Sequence, residues 1–302
     1  MAQDWVAQDW VARDRPMIDT HLHLWQLDTG WYGWNTSALG AVHADSTVDA
    51  IEANLVGAGV PGASVTAAVV VQAADTLAET DWLLDQVRRE PALAGVVGYL
   101  PLDDLAVLEE LLTGYQDSPL VGVRQLWHDH DDPGELASEE TIDALRLLGE
   151  ASLAVDIPDA FPRLWPALAT AAAGAPRTTF VLDHCGKPPF GDRHAWDVWE
   201  RGFRELAGRP NVIVKLSGLF GGSGSAVPAA DAELTRVAEL VHDIAGADRT
   251  MIGSDWPMTR GRLDYPTSIT RLTELMTGWS AAECEAAGGG TAQRVYGLQE
   301  QL

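Results

Sequence analysis

The feature that most constrains the fold is an alternation of short apolar segments with helical patterns, repeated at intervals of roughly 30 residues. Eight apolar runs bounded by turn-forming residues predict strands at 17–25, 65–72, 94–100, 120–126, 152–157, 178–184, 211–217 and 250–255. Helical periodicity fills the gaps between them. Repeated βα units predict parallel strands, and eight of them predict a (β/α)8 TIM-like barrel with C-terminal packing helices. A doubly wound open sheet is the alternative, and it is disfavoured because no glycine-rich dinucleotide fingerprint follows any strand.

Length and composition agree with one large α/β domain. The chain has 302 residues, of which 46% are hydrophobic. We expect a single barrel domain over residues 16–302, preceded by a disordered extension at 1–15 that contains the near-repeat AQDWV. Cys185 and Cys284 are too few for a disulfide framework, which favours a reducing cytoplasm.

The charge balance restricts the partners. Forty-four acidic and 20 basic residues give a net charge of −24. This excess of negative charge argues against binding nucleic acid or an anionic membrane surface, and no apolar run approaches the roughly 20 residues of a membrane span. We therefore expect a small-molecule partner, and the sequence leaves the oligomeric state open.

Polar residues recur where the predicted strands end. His21 and His23 share one face of the first strand, because side chains two apart on a strand point the same way. Such a pair can ligate a metal, polarise a carbonyl, or be purely structural. The later strand ends carry further polar residues: Gln72, Tyr99, Arg124, Asp156, Asp183, His184, Lys215, Ser217, Ser254 and Asp255. A barrel brings these ends together at one face, which favours the functional interpretation.

Several polar residues have a competing structural interpretation. Lys215 lies in an apolar strand, where an unpaired charge is costly, so it needs a carboxylate or substrate partner. The same argument applies to Arg124, for which a structural ion pair is the alternative to a functional role. Strand parity puts Asp183 opposite His184, which favours a structural role. His128 and His130 form a second H-x-H, but their charged surroundings favour a solvated loop. The glycine-rich segment 221–225 lacks the P-loop lysine and is predicted to be a lid or linker.

Four motifs resemble a known family. IDTHLHLW (18–25), FVLDHCGKP (180–188), VKLSG (214–218) and IGSDWP (252–257) are similar to the amidohydrolase superfamily, in particular its amidohydrolase-2 branch of sugar and aromatic-ring lactonases. The segment from Trp25 to Trp34 resembles the L-fuconolactonase and L-rhamnonolactonase members. The resemblance runs in order from about residue 17 to residue 298.

The resemblance implies a site at the mouth of the barrel. It assigns catalysis to His21, His23, His184 and Asp255, the last as general base. Metal-dependent relatives add a strand-five histidine and a strand-four lysine or glutamate, but this chain has Asp156 and Arg124 near those positions, which disfavours a binuclear centre. One Zn²⁺ on His21, His23, His184 and Asp255 is chemically feasible. Lactonases of this branch can work without metal, so we expect no required cofactor. Expected substrate contacts are Trp25, Trp34, Arg124, Trp127, Lys187, Lys215 and Trp256.

The sequence thus predicts hydrolysis of a sugar-acid lactone to its aldonate. The alternatives are a metal-dependent, non-oxidative decarboxylase of an aromatic acid, or another hydrolase of the same branch, such as an aromatic-derived lactonase. A non-catalytic binding barrel is disfavoured because a candidate base and three histidines are all present.

Overall fold

Eight parallel strands follow one another around a nearly closed barrel. The computed structural model describes residues 15–49, 59–60, 63–221 and 229–298. The strands are β1 (Arg15–Leu22), β2 (Ala63–Val71), β3 (Leu93–Gly98), β4 (Leu120–Arg124), β5 (Ala154–Ile157), β6 (Phe180–Leu182), β7 (Val212–Ser217) and β8 (Thr250–Gly253). Each pairs in parallel with the next. A two-residue strand, Gly59–Val60, pairs antiparallel with β2.

Backbone hydrogen bonds between the ends of β1 and β8 close the ring; we call this junction the seam. The Asp255 N–H donates to the His21 carbonyl at 2.8 Å, and the His23 N–H donates to the Trp256 carbonyl at 2.8 Å. Asp19 supports the seam by accepting hydrogen bonds from the backbone N–H and the hydroxyl of Ser254, at 2.8 and 2.6 Å. The barrel prediction is confirmed, because an open sheet would leave these two strands apart.

Helices cover the outside of the barrel, and from β2 onward at least one helix follows each strand, as predicted. They are α1 (Leu77–Arg89), α2 (Leu105–Tyr115), α3 (Glu139–Glu150), α4 (Trp165–Gly174), α5 (Arg193–Ala207), α6 (Asp231–Ile244), α7 (Tyr265–Leu275), α8 (Ala281–Glu285) and α9 (Thr291–Val295). Several begin where a short polar side chain caps the first turn, as Asp104, Ser138 and Asp192 do. Residues 1–14 of the predicted extension and positions 222–225 of the glycine-rich segment lie outside the described residues.

Alternation along the strands creates two apolar layers. In β7, Val212, Val214 and Leu216 pack outward against the helices, whereas Ile213 lies in a second cluster inside the barrel. Tyr296, just after α9, belongs to this inner cluster. Lys215 shares the inward face of Ile213, so the fold carries its charge into the barrel. Among the described residues, no helix is long and apolar enough to cross a membrane.

Candidate active site

Three imidazoles surround one carboxylate oxygen at the carboxyl end of the barrel. The Nε2 atoms of His21, His23 and His184 lie 3.8, 3.4 and 3.9 Å from Oδ1 of Asp255. The histidines come from the end of β1 and from the turn after β6, and Asp255 follows β8 by two residues. All four side chains are buried. The fold therefore brings together the four residues expected to carry catalysis.

Unusual backbone geometry aims two of these side chains. His184 and Asp255 have positive φ angles of 54° and 58°, a conformation that is costly for residues other than glycine and that clusters at functional sites. Gly218 leaves room for His184, because a Cβ at this position would lie 2.4 Å from Nδ1 of the imidazole. A glycine is required here by close approach as well as by its φ of 61°.

The second nitrogen of each imidazole has its own neighbour. His23 Nδ1 hydrogen-bonds to the carbonyl of Val71 at 2.8 Å, which leaves Nε2 with a lone pair toward Asp255. His184 Nδ1 lies 2.9 Å from the Ser217 hydroxyl. His21 Nδ1 lies 3.3 Å from Oδ1 of Asp183. These contacts hold the ring planes so that all three Nε2 atoms face the same point.

A buried charge network lies beneath the histidines. Lys215 Nζ is 2.5 Å from Asp156 and 3.3 Å from Asp183, and it also lies 3.3 Å from Nδ1 of His21. Arg124 NH1 is 3.3 Å from the other oxygen of Asp183 and 3.4 Å from Nε2 of His21. The two cations and two carboxylates balance one another. Asp255 is thus the uncompensated negative charge of the described site.

Burial sets the protonation states. It lowers the pKa of His21 well below its usual range and that of His23 to about 3, so both imidazoles are neutral near pH 7. It raises the pKa of Asp255 to about 6. This carboxyl is therefore ionised near neutral pH and is a stronger base than an exposed aspartate.

The donor atoms fit one divalent ion. His21, His23 and Asp255 offer ligand atoms within 4.8 Å of one another, and His184 Nε2 lies outside this group but 3.9 Å from Oδ1 of Asp255. Zinc bonds of about 2.1 Å in a tetrahedron imply ligand separations of about 3.4 Å. The Nε2 atoms of His23 and His21 lie 3.4 and 3.8 Å from Oδ1 of Asp255, close to this value. Arg124 would have to move, since its NH1 already contacts Nε2 of His21. A second described group, His21, Asp183 and His184, is less suited to an ion because Lys215 and Arg124 already neutralise Asp183.

A pocket of about 360 Å³ opens onto this site. His23, His184 and Asp255 line it, as do three of the expected substrate contacts, Trp34, Arg124 and Lys187. Four other expected contacts are not among its lining residues: Trp25, Trp127, Lys215 and Trp256. Trp25 packs behind His23, Trp127 lies in the core, Trp256 packs against Tyr265, and Lys215 is fully buried in the network below. These aromatic rings are core residues because the strand ends turn them away from the pocket.

The pocket also contains residues that the sequence did not single out. Asp159 and the apolar side chains of Leu39, Phe190 and Met258 line it.

His128, expected in a solvated loop, lies on the pocket wall. Asp183, expected to be structural, contacts His21 and Arg124 beneath the site. Position on a loop after a barrel strand was the available signal for Asp159 and His128.

Comparison with known proteins agrees with this architecture. A family model described as amidohydrolase matches residues 18–298. The chain belongs to this amidohydrolase family. It is 34% identical over 251 residues to an L-fucono-1,5-lactonase of Burkholderia ambifaria, covering 80% of this chain and 81% of the relative. It is 30% identical over 298 residues to an L-fucono-1,5-lactonase of Burkholderia multivorans, covering 94% and 96%.

Solved amidohydrolase structures share the fold. A crystal structure of an amidohydrolase from Burkholderia multivorans with bound zinc superimposes with a TM-score of 0.84 at 27% identity, covering 94% of this chain and all of the other. A 2,6-dihydroxybenzoate decarboxylase from Rhizobium superimposes with a TM-score of 0.61 at 14% identity, covering 94% and 98%. The decarboxylase likeness extends to the fold alone. The chain is accordingly a hydrolase of the amidohydrolase family, with lactonase-named relatives.

Proposed function

We propose that this amidohydrolase hydrolyses the ester bond of a sugar-acid lactone, an aldonolactone such as L-fuconolactone, to the open-chain aldonate. The observation that carries the proposal is the convergence of three imidazoles, of which His21 and His23 are neutral near pH 7, on one basic carboxylate at a pocket. The relatives named L-fucono-1,5-lactonase support a sugar lactone as the substrate.

Asp255 acts as the general base in this mechanism. Its ionised carboxylate accepts a proton from water while the water oxygen bonds to the lactone carbonyl carbon. The bond between that carbon and the ring oxygen then breaks, and Asp255 returns the proton to the ring oxygen, which becomes a hydroxyl of the aldonate. The raised pKa of Asp255, about 6, suits both transfers near neutral pH.

Neighbouring groups stabilise the negative charge that develops on the carbonyl oxygen. Arg124 lies on the pocket wall, where its guanidinium can donate to that oxygen. Lys215 has no access to the pocket and acts through others: its contacts with His21 and Asp183 hold the His21 imidazole in place beside Asp255.

His21, His23, His184 and Asp255 would also hold a zinc ion, which when bound supplies Lewis acidity toward the carbonyl oxygen. The zinc in the Burkholderia multivorans amidohydrolase structure supports this assignment. The expectation that hydrolysis requires no cofactor stays a prediction, and assays of chelated protein test it.

The experiment is a panel of L- and D-aldonolactones assayed with a pH indicator, using wild type, Asp255→Asn and a matched control. We expect Asp255→Asn to lose about 10²- to 10⁴-fold in kcat, the usual contribution of a general base, with an unchanged circular dichroism spectrum. The control Asp197→Asn changes an exposed aspartate on α5 and should keep full activity.

Two outcomes would reject the proposal. Full activity of Asp255→Asn would remove this residue from its role as base. Failure of wild type on every lactone, together with CO₂ release from a dihydroxybenzoate, would identify a decarboxylase instead.

A further inference from the structure

An ion pair lines the pocket beside the histidines. Lys187 Nζ donates a hydrogen bond to Oδ2 of Asp159, and both residues belong to the pocket wall. The two side chains retain 40% and 23% of their exposure, so they remain accessible to a ligand. Asp159 lies just beyond β5, and Lys187 ends the turn that carries His184.

The backbone holds both partners in unusual conformations. The φ angles are 41° at Asp159 and 65° at Lys187, although neither residue is a glycine. The Lys187 N–H donates to the carbonyl of His184 at 2.9 Å, which ties the position of the lysine to that of the histidine. Such backbone conformations are costly, and they cluster at active sites and ligand-binding sites, where the surrounding structure stabilises them.

The pair is electrostatically coupled to the candidate active site. Burial opposes ionisation of Asp159, but Lys187 and His184 outweigh it and hold the pKa of Asp159 below its usual range. The negative charge of Asp159 also adds to the effect of burial in raising the pKa of Asp255. A ligand group that reaches Asp159 is therefore close to the reacting centre.

A third polar side chain, the imidazole of His128, lies on the same wall. His128 Nδ1 is buried without a hydrogen bond among the described residues, and its Nε2 lies 3.6 Å from Asp129. Burial lowers the pKa of His128, so the ring is neutral at physiological pH. The His128 side chain as a whole retains 28% of its exposure on the pocket wall, where a neutral imidazole can hydrogen-bond to a ligand.

We propose that Asp159, Lys187 and His128 form a hydroxyl-recognition site that selects polyhydroxylated neutral lactones. This inference rests on the proposed function. An alcohol group both donates and accepts, so it can bind to the carboxylate, the ammonium and the imidazole together. A carboxylate on the substrate would meet an ammonium already neutralised by Asp159 and would be repelled by that aspartate. Hydroxyl groups are therefore the better match to this wall.

The experiment measures discrimination between lactones. We compare kcat/KM for an aldonolactone with kcat/KM for the unsubstituted δ-valerolactone, in wild type, Asp159→Asn, Lys187→Met and His128→Phe. We expect the ratio to fall about tenfold or more in each variant, mainly through a higher KM for the aldonolactone, because buried polar contacts to hydroxyls discriminate strongly. The controls Asp85→Asn and Arg88→Met disrupt an exposed ion pair on α1 and should keep the wild-type ratio.

Product inhibition gives a second readout that a merely structural role would not alter. Asp159→Asn removes the charge that neutralises Lys187, so the aldonate anion should inhibit this variant several-fold more strongly than it inhibits wild type. Lactone hydrolysis by wild type with unchanged ratios in all three variants would overturn the inference and leave the proposed function standing. Failure of wild type on every lactone would overturn both.

Discussion

Lys215 carries a positive charge into the interior of the barrel. It is fully buried, and its ammonium lies between Asp156 and Asp183. The Tyr296 hydroxyl donates to Asp156 from below at 3.1 Å. Removing one partner of a buried charge pair is costly because the other charges remain buried without compensation.

We therefore expect Lys215→Met to lower the free energy of unfolding by about 3–5 kcal/mol, measured by urea denaturation. The double variant Lys215→Met/Asp156→Asn should recover part of this loss, since one stranded charge is gone. Arg88→Met, which removes an exposed partner of Asp85, should cost less than about 1 kcal/mol. A loss of the same size in Lys215→Met and Arg88→Met would contradict the network described here.

Single residues also show what the sequence could and could not predict. An inward charge in an apolar strand requires a partner, so the need for a carboxylate near Lys215 was predictable. The identity of those partners was not, because Asp156 comes from β5 and Asp183 from the turn after β6, and both meet Lys215 only when the barrel closes. The position of His128 on the pocket wall was not predictable, because its charged sequence neighbours do not reveal the pocket that the loop faces.

At the level of elements, the ends of the strands decide which side chains meet. Strand β6 ends at Leu182, and the turn Asp183–Gly186 follows with positive φ at His184. The alternation of side chains along the strand therefore ends before residue 183. Asp183 lies below the site instead of on the face of the sheet opposite to His184. The alternation of elements was predictable from hydrophobic periodicity, but this two-residue difference at a strand end was not.

The close approach of Gly218, just after β7, to the His184 imidazole, just after β6, can be tested by substitution. Gly218→Ala should lower kcat at least about tenfold, because the added Cβ would displace the His184 imidazole from Ser217. Gly278→Ala is the matched control: Gly278 also has a positive φ, of 95°, but a Cβ there would meet nothing within 4 Å. The two variants share the backbone penalty and differ in the clash. Equal kcat values would mean that the position of His184 does not matter for turnover.

On the scale of the whole molecule, the charge distribution limits how many ions the barrel can hold. The chain is strongly acidic, with a net charge of −24, and it has only two lysines, Lys187 and Lys215. Both lie at the candidate site. Together with Arg124, Lys215 supplies the positive charge beside Asp156 and Asp183 that a second metal ion would otherwise provide.

We expect metal-depleted protein to bind one zinc ion per chain, measured by native mass spectrometry and by isothermal titration calorimetry. His23→Ala should weaken this binding strongly because it removes a ligand nitrogen, whereas His194→Ala, at an exposed position, should leave it unchanged. Two tightly bound ions per chain would contradict the assignment of Lys215 and Arg124 as internal counter-charges.

The seam has a mechanical consequence. The backbone groups that join β1 to β8 belong to His21, His23, Asp255 and Trp256. Three of the residues proposed to carry the chemistry therefore also form the hydrogen bonds that close the barrel. Any breathing motion that parts these two strands pulls the imidazoles away from the carboxylate. Separating β1 from β8 would therefore open the barrel and abolish the catalytic arrangement at the same time.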